Sequence, residues 1–160
     1  MVHVVAVGRL TDPGLAACCA EYASRIRKVL KLEIREVRPP QGRLRVTERL
    51  KLEGDRILKA VPSGARMVAL TRQGTEDSSE EFAQRWGRWM EERRDVAFVI
   101  GGAYGLDPRV LERCEFKLSL SKLTFPHELA RLILLEQLYR ALTILAGSPY
   151  HKAAGPTIAE

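Results

Sequence analysis

The sequence predicts an α/β fold with a mainly parallel β-sheet flanked by helices. Short apolar runs rich in β-branched residues alternate with longer segments in which apolar residues recur at helical spacing. The run Val96–Ile100 is apolar and rich in β-branched residues, as strands buried on both faces are, and Val2–Val7 is predicted as the first strand. With 160 residues, the chain is long enough for one domain with a substantial core.

The first half of the chain contains two predicted strand–helix pairs. The strand Val2–Val7 precedes a helix at about 14–30, for which Thr-Asp-Pro at 11–13 is the start signal. Residues 32–38 alternate between apolar and polar, which is typical of a half-exposed strand at the edge of a sheet. A loop then leads into a second helix at about 46–61.

The second half adds three predicted strands. Residues 67–70 form a short buried strand, and we expect the polar segment 71–77 after it to be a loop. A Ser-x-x-Glu capping box at 78–81 starts a helix that places three aromatic residues on one face. These are Phe82, Trp86 and Trp89. Their spacing favours a core position over a base-stacking surface. The strands Val96–Ile100 and 116–120 complete a set of five.

The last predicted helix, at about 126–146, carries apolar residues on two faces, and Gly147 caps its end. The apolar set is Leu129, Leu132, Ile133, Leu134, Leu135, Leu138, Tyr139, Leu142, Ile144 and Leu145. One face can pack on the sheet, and the other requires a second partner. We expect a second copy of the chain, and therefore a homodimer. A loop of the same chain is the alternative.

Positive charge is concentrated in one part of the chain. Between Arg25 and Lys51, ten lysines and arginines face three glutamates, a net charge of +7 against +6 for the whole chain. Such a concentration favours a polyanionic partner, usually nucleic acid, although a plain solvated surface is the alternative.

Several classes of protein are not supported by the sequence. No apolar run is long enough for a membrane span, and the first residues lack the basic region of a signal peptide. Cys18, Cys19 and Cys114 form no disulfide framework, and we expect them to be buried in a protein of the reducing cytoplasm. The three histidines, at positions 3, 127 and 151, have no metal-binding spacing.

Two segments are candidates for a ligand pocket. Gly101, Gly102 and Gly105 follow the strand Val96–Ile100, where glycines permit positive φ and the close approach of a ligand to the main chain. Ligands of open α/β sheets bind beyond the carboxyl ends of the strands. The glycine spacing matches neither a Walker loop nor a dinucleotide fingerprint. The second segment, 120–127, separates the last strand from the last helix and can line a pocket.

Four motifs in order resemble the RlmH family of SPOUT-class methyltransferases, which modify large-subunit ribosomal RNA. They lie at 100–106, 118–127, 136–141 and 149–152. The resemblance covers residues 1–152 as a single SPOUT methyltransferase domain and leaves 153–160 as a short C-terminal extension.

The resemblance implies methyl transfer from S-adenosylmethionine to N3 of a pseudouridine in large-subunit (23S) rRNA, on the assembled ribosome. It also implies an α/β fold with a C-terminal trefoil knot and a homodimer whose active site uses both subunits. No metal is implied. The alternatives are a SPOUT ribose 2′-O-methyltransferase acting on tRNA and a non-catalytic dimer that binds RNA or the ribosome.

The resemblance also assigns residues to the site. Those implied to bind the cofactor are Leu70, Gly101, Gly102, Gly105, Leu120, Ser121, Lys122, Leu123, Thr124, Phe125 and Pro126. Those implied to position the substrate or handle the proton are His127, Arg131, Tyr150 and His151. Lys152, at a position where the family more often has arginine, would contact the RNA backbone without the bidentate geometry of a guanidinium.

Overall fold

A computed structural model, which describes residues 1–151, contains five parallel strands in one sheet. The strands are β1 (Val2–Val7), β2 (Leu32–Val37), β3 (Arg66–Glu76), β4 (Val96–Ile100) and β5 (Phe116–Ser119). The helices are α1 (Pro13–Arg27), α2 (Val46–Ala60), α3 (Ser79–Glu91), α4 (Pro108–Arg113) and α5 (His127–Leu145). The strand order is β2-β1-β4-β3-β5, and every pairing is parallel. The predicted fold class is confirmed.

Helices cover both faces of the sheet, which explains why the buried parts of the central strands are mostly apolar. Val4 and Phe98 pack in a core with residues of α1, α3 and α5. Val5 and Val99 point the other way, into a smaller core with residues of α2 and α4. Because successive side chains of a strand face opposite sides, a central strand of this fold needs apolar residues on both faces. The exception in β1 is His3, which is fully buried beside Glu33 and Asp95.

The parallel arrangement gives the sheet two different edges. We call the carboxyl edge the one where the strands end; it comprises 8–12, 38–45, 70–78, 101–107 and 120–126. We call the amino edge the one where the strands begin; it comprises residue 1, 28–31, 61–66, 92–95 and 114–115. Parallel α/β proteins bind their ligands at the carboxyl edge.

The prediction of a loop at 71–77 is wrong. Strand β3 continues to Glu76. Leu70 and Thr75 both pair with Leu118 of β5, so the four residues between them form a bulge. Gly74 in this bulge lies so close to β5 that an added Cβ would stand 2.6 Å from the Lys117 carbonyl carbon. Backbone pairing with an edge strand, and not side-chain burial, makes these polar residues a strand.

Helix α5 has more cover within its own chain than the sequence indicated. It packs on the sheet between α1 and α3, and the core on that face includes Leu134, Leu135 and Leu138 of this helix. Helices α1 and α3 of the same chain therefore provide cover for α5 that was expected from a second copy, and the homodimer stays a prediction. Leu145, near its end, is exposed.

Other predictions on side-chain burial have mixed outcomes. Phe82, Trp86 and Trp89 are buried in the core around Phe98, as predicted. Of the three cysteines only Cys19 is buried, whereas Cys18 is exposed on α1. None of the helices described is long and apolar enough to cross a membrane.

Candidate functional site

A cavity of about 850 Å³ opens at the carboxyl edge beside β3, β4 and β5. Three segments supply most of its lining: 70–73, 100–106 and 120–127 without residue 122. The volume falls within the range of roughly 300–1,000 Å³ that small-molecule and cofactor sites occupy. The two segments singled out in the sequence therefore meet in one cavity, and the bulged part of β3 forms its third wall.

The glycine loop after β4 folds back on itself. Gly105 donates its N–H to the Gly102 carbonyl at 3.1 Å, and a Cβ on Gly101 would overlap the Gly105 carbonyl oxygen. Only Gly105 has a positive φ, of 84°. The expectation of positive φ thus applies to Gly105, whereas Gly101 is needed because no side chain fits between the two arms of the loop.

The segment after β5 is an irregular loop stabilised by serine hydroxyls. Ser119 donates its hydroxyl to the Ser121 carbonyl at 3.0 Å, and Ser121 Oγ accepts the Leu123 N–H at 3.0 Å. Leu123 is 69% exposed, and Tyr104 across the cavity is 57% exposed. Large apolar side chains at a cavity rim indicate a surface that a ligand covers.

Most of the residues implied to bind a cofactor line this cavity. Those that do are Leu70, Gly101, Gly102, Gly105, Leu120, Ser121, Leu123, Thr124, Phe125 and Pro126. Lys122 does not; it is exposed outside the lining.

His127 begins α5 and also lines the cavity. Its Nε2 lies against Gly8, where an added Cβ would be only 2.9 Å from that nitrogen. The next residue, Glu128, accepts the N–H of Thr11 at 3.0 Å, the hydroxyl of Thr11 at 2.6 Å and the N–H of Asp12 at 3.1 Å. These bonds join the β1–α1 loop to the start of α5 and so fix where His127 stands.

Arg131 lies one turn further along α5 and outside the cavity lining. Its side chain is 1% exposed, with Nη1 donating to Glu36 at 2.7 Å and Nη2 donating to the Gly8 carbonyl at 2.8 Å. The guanidinium therefore joins α5 to the ends of β1 and β2. This geometry makes Arg131 a positioning residue for the wall that contains His127 and Gly8.

Tyr150 and His151 lie elsewhere, packed on the side of α5. Tyr150 donates its hydroxyl to Glu136 at 3.1 Å, and His151 Nε2 lies 2.8 Å from Glu80. Burial, followed by the hydrogen bond with Tyr22 and the charge of Glu136, raises the pKa of Tyr150 above its ordinary value, so the phenol stays protonated and donates. Glu136 is nine residues after His127, about 14 Å along the helix. Within one chain, Tyr150 and His151 therefore do not lie beside His127.

A buried carboxyl that the sequence did not mark lies behind the glycine loop. Glu53 of α2 is 3% exposed, and its Oε2 has no hydrogen-bond partner within residues 1–151. A Cβ on Gly102 would lie 3.0 Å from this oxygen. Burial raises the pKa of Glu53, against the opposing charges of Arg49 and Arg56. Helical periodicity alone offers no signal that separates this residue from the other polar ones on α2.

The next residue of α2, Gly54, lies against the other end of the same loop. A Cβ on Gly54 would stand 2.8 Å from the Asp107 Cβ, so helix and loop are in close contact. Arg109 bonds to Asp107 at 3.0 Å, to Asp55 at 2.9 Å and to the Lys51 carbonyl at 3.0 Å. The hydrogen bonds from the side chain and backbone of Arg109, followed by its charge, hold the pKa of Asp107 below its usual value. Among the described residues, no three or more His, Cys, Asp or Glu side chains come together in a group that could hold a metal ion.

Comparison with curated proteins finds close relatives over nearly the whole chain. "Ribosomal RNA large subunit methyltransferase H" of Anaeromyxobacter sp. (strain K) is 47% identical over 152 residues, which covers 94% of this chain and 99% of the relative. The protein of the same name from Burkholderia thailandensis is 43% identical over 154 residues, covering 95% and 99%. A "Putative ribosomal RNA large subunit methyltransferase H" of Methanoregula boonei is 46% identical over 159 residues, covering 94% and 99%.

Solved structures with the same fold are more distant in sequence. A probable methyltransferase from Bordetella pertussis Tohama I matches with a TM-score of 0.57 at 17% identity, covering 88% of this chain and 95% of that one. A probable methylase family protein from Haemophilus influenzae Rd KW20 matches with a TM-score of 0.54 at 13% identity, covering 98% and 72%. These two likenesses concern the fold alone.

The family model described as "Predicted SPOUT methyltransferase" matches residues 1–151, the same part of the chain that forms the sheet, its helices and the cavity. Together with relatives at 43–47% identity, this match identifies the family. The chain belongs to the SPOUT methyltransferases.

Proposed function

We propose that the protein transfers a methyl group from S-adenosylmethionine to N3 of a pseudouridine in large-subunit rRNA, on assembled ribosomes in the cytoplasm. The observation that carries the proposal is the cavity at the carboxyl edge, bounded by the glycine loop and by 120–127. The relatives named as large-subunit rRNA methyltransferases match 94–95% of the chain, including both loops. The pseudouridine, its N3 atom and the ribosome come from the family resemblance.

The cavity suits S-adenosylmethionine in size and in chemistry. About 850 Å³ is ample for a nucleoside joined to an amino acid. Leu70, Leu120 and Phe125 offer apolar surface for an adenine ring, and the folded-back glycine loop exposes backbone groups that can bond to polar edges. When bound, S-adenosylmethionine supplies an electrophilic methyl group on a sulfonium.

The residues of this chain would then have to align the acceptor nitrogen and accommodate its proton. His127 stands in the cavity wall, and Gly8 and Glu128 fix its position. Its imidazole can accept a hydrogen bond or a proton from the imide, either directly or through water. Arg131 contributes indirectly, because it joins the segment at Gly8 to α5.

We propose that Tyr150 and His151 act in the cavity of a partner subunit. In their own chain both lie along α5 near Glu136 and Glu80, about 14 Å along the helix from His127. A homodimer that brings the tail of one subunit to the cavity of the other would complete the site. The proposal includes the C-terminal knot of the family. Lys152 and the 153–160 extension lie outside the described residues.

The reaction is tested by incubating the protein with methyl-labelled S-adenosylmethionine and separate preparations of ribosomes, free rRNA and tRNA. We expect label in large-subunit rRNA, at a pseudouridine, with ribosomes as the best substrate. Label confined to tRNA would favour the ribose 2′-O alternative. If the protein binds ribosomes but neither binds S-adenosylmethionine nor transfers label, it is a non-catalytic binding protein.

The shared site is tested by mixing two inactive variants. Gly101→Val removes the cavity of its subunit, and Tyr150→Phe removes the hydroxyl of its tail. If the site uses both subunits, mixed dimers contain one intact site, and unfolding and refolding the two variants together restores about a quarter of wild-type activity by random pairing. Activity that stays at the level of the separate variants contradicts a site shared in this way.

A further inference from the structure

The basic stretch identified in the sequence divides into two groups at opposite edges of the sheet. One group, in 25–35, lies around the end of α1 and in β2, which begins at the amino edge. The other, in 38–51, follows the end of β2 and continues into the first turns of α2, at the carboxyl edge. The two groups have different surroundings.

The arginines of the first group are occupied within the chain. Arg25 pairs with Glu21 at 2.8 Å and lies over the ring of Tyr139. Arg35 pairs with Glu33 at 2.8 Å and donates to the Ala60 carbonyl. The charges of these two arginines are neutralised and help to hold the fold, whereas Lys28 and Lys31 of the same group are exposed and, within residues 1–151, form no ion pair.

In the second group the positive charge is not neutralised. Arg43, Arg45 and Lys51 are exposed, and within residues 1–151 none of them forms an ion pair. Arg49 donates to the carbonyls of Pro40 at 3.1 Å and Gly42 at 3.2 Å, which orders the loop without cancelling the charge. The loop and the helix start therefore present a preformed set of cations.

This set lies beside the cavity. Arg109, in the first turn of α4 after the glycine loop, donates to the Lys51 carbonyl at 3.0 Å. Glu53 of the same helix as Lys51 packs against Gly102 of the cavity lining. Arg45 precedes Lys51 by six residues, which is about 9 Å along the axis of α2 towards its N-terminus. Across the cavity, Arg72 contributes to the lining and is exposed.

We propose that Arg43, Arg45, Arg49 and Lys51, here named the α2 cationic surface, bind phosphates of the substrate RNA beside the cavity. This inference rests on the proposed function. Free cations bind phosphates without first breaking an ion pair, and the counterions released from the RNA add to the affinity. Guanidinium groups can bind phosphate oxygens in a bidentate manner, and three of the four residues are arginines.

The position of the surface fits a positioning role in catalysis. A base that enters the cavity must leave its stack, while its flanking nucleotides remain outside the mouth. Phosphates on one side of that base would then meet α2, whose next turn packs on Gly102 and Asp107. Backbone contacts fix the register of an RNA without reading its sequence, which suits an enzyme for one site on a large folded RNA.

The test compares two variants that lose the same charge. The first changes Arg43, Arg45 and Lys51 to Gln. The matched control changes Lys28, Lys31 and Lys59 to Gln; these are exposed lysines at or near the amino edge and, within residues 1–151, without an ion pair. Binding to ribosomes is measured over a series of salt concentrations, and S-adenosylmethionine binding is measured by calorimetry.

We expect the first variant to lose roughly 10- to 100-fold in ribosome affinity and to show a shallower salt dependence, by about two units of slope. The control should remain within about 3-fold of the wild type, and both variants should bind S-adenosylmethionine like the wild type. Equal losses in both variants, or no loss in the first, would overturn the proposal.

A photo-crosslinker at position 45 identifies the partner. Cross-links to large-subunit rRNA support the proposal, and cross-links only to ribosomal protein overturn it. If the wild type and the first variant methylate ribosomes equally well, the proposed role of the α2 cationic surface is wrong and the proposed function stands. If the wild type does not bind S-adenosylmethionine, the proposed function itself fails.

Discussion

The two edges of the sheet differ in how they use polar groups. At the amino edge, Arg66 pairs with Glu92 at 2.7 Å and with Glu115 at 3.2 Å, and Arg94 pairs with Glu115 at 2.6 Å. The N-terminal amine pairs with Asp95 at 2.8 Å. The carboxyl edge has exposed cations in the α2 cationic surface and exposed apolar side chains at the cavity rim. It also has the buried Oε2 of Glu53, which has no hydrogen-bond partner among residues 1–151.

This difference separates the groups that support the fold from those available to a ligand. Charges that meet their partners within the chain have little left to offer a ligand. A polar group without a hydrogen-bond partner at a cavity lowers the stability of the free protein. A ligand that supplies the missing hydrogen bond recovers that free energy. In an α/β sheet this second kind is expected at the carboxyl edge, and the cavity lies there.

The largest effect is expected from Gly101→Ala. A Cβ at this position overlaps the Gly105 carbonyl, so the glycine loop must open and the cavity wall must move. We expect a loss of at least about 100-fold in S-adenosylmethionine affinity, which corresponds to about 2.7 kcal/mol. Calorimetric titration measures it.

Gly87→Ala is the matched control for that change. Gly87 lies within α3, and its added Cβ would meet only the flexible end of Leu145 at 3.3 Å. Alanine should raise helix stability by up to about 1 kcal/mol and leave donor binding unchanged. Equal donor affinity in the two variants would mean that the glycine loop does not bound the donor site.

Arg131→Met tests whether a buried cation of the carboxyl edge supports the cavity wall. The change leaves Glu36 and the Gly8 carbonyl without their donor. Because Glu36 is partly exposed, we expect a loss of about 2–3 kcal/mol in the free energy of unfolding, less than for a fully buried pair. Denaturant titration measures it, and a variant as stable as the wild type would contradict the positioning role.

Glu53→Gln should show a pH dependence of stability that reveals the unpartnered carboxyl. The folded pKa of Glu53 is raised by burial, so its contribution to stability is greatest below the unfolded pKa and declines as pH rises through the folded pKa. Glutamine removes this decline. The stability of the variant relative to the wild type should therefore be higher at pH 7 than at pH 4, by denaturant titration at both values. If the difference in stability between the variant and the wild type is the same at pH 4 and pH 7, the carboxyl of Glu53 is not buried without a partner.

Glu115→Gln at the amino edge should show the opposite sign and the smallest effect. The hydrogen bond from Arg94 is the main cause of the lowered pKa of Glu115, so its stabilisation is present above the unfolded pKa and disappears as pH falls. For a partly exposed pair we expect a loss of about 0.5–1 kcal/mol at pH 7. Unfolding measurements at pH 7 and pH 4 check it, and altered S-adenosylmethionine affinity in this variant would contradict the separation of the two edges.

Local sequence signals predict the strands and two walls of the site, the glycine loop and 120–127. The runs Val2–Val7 and Val96–Ile100 are mostly apolar because both faces are covered, and Gly101 and Gly105 are needed where the loop folds back. The segment 71–77 was misassigned because its strand pairing comes from β5, more than 40 residues later along the chain. Periodicity carries no information on such a pairing.

The features that sequence reasoning missed are the burial and partners of Arg131, a residue that only the family resemblance singled out, and the position of Glu53. Both depend on contacts between distant segments. Arg131 meets Glu36 across 95 residues, and Glu53 meets the glycine loop across about 50. Neither residue stands out in its own helix, because burial of a charged side chain is decided by what packs over it. The cover that α1 and α3 provide for α5 is of the same kind.

The most direct test is to titrate S-adenosylmethionine into protein labelled with ¹⁵N at glycine and to follow the amide resonances. We predict that Gly101, Gly102 and Gly105 shift in a saturable manner, whereas Gly64 at the amino edge and Gly87 in α3 do not. Saturable binding that leaves the three loop glycines unchanged, or that shifts Gly64 and Gly87 instead, would contradict a donor site at the carboxyl edge.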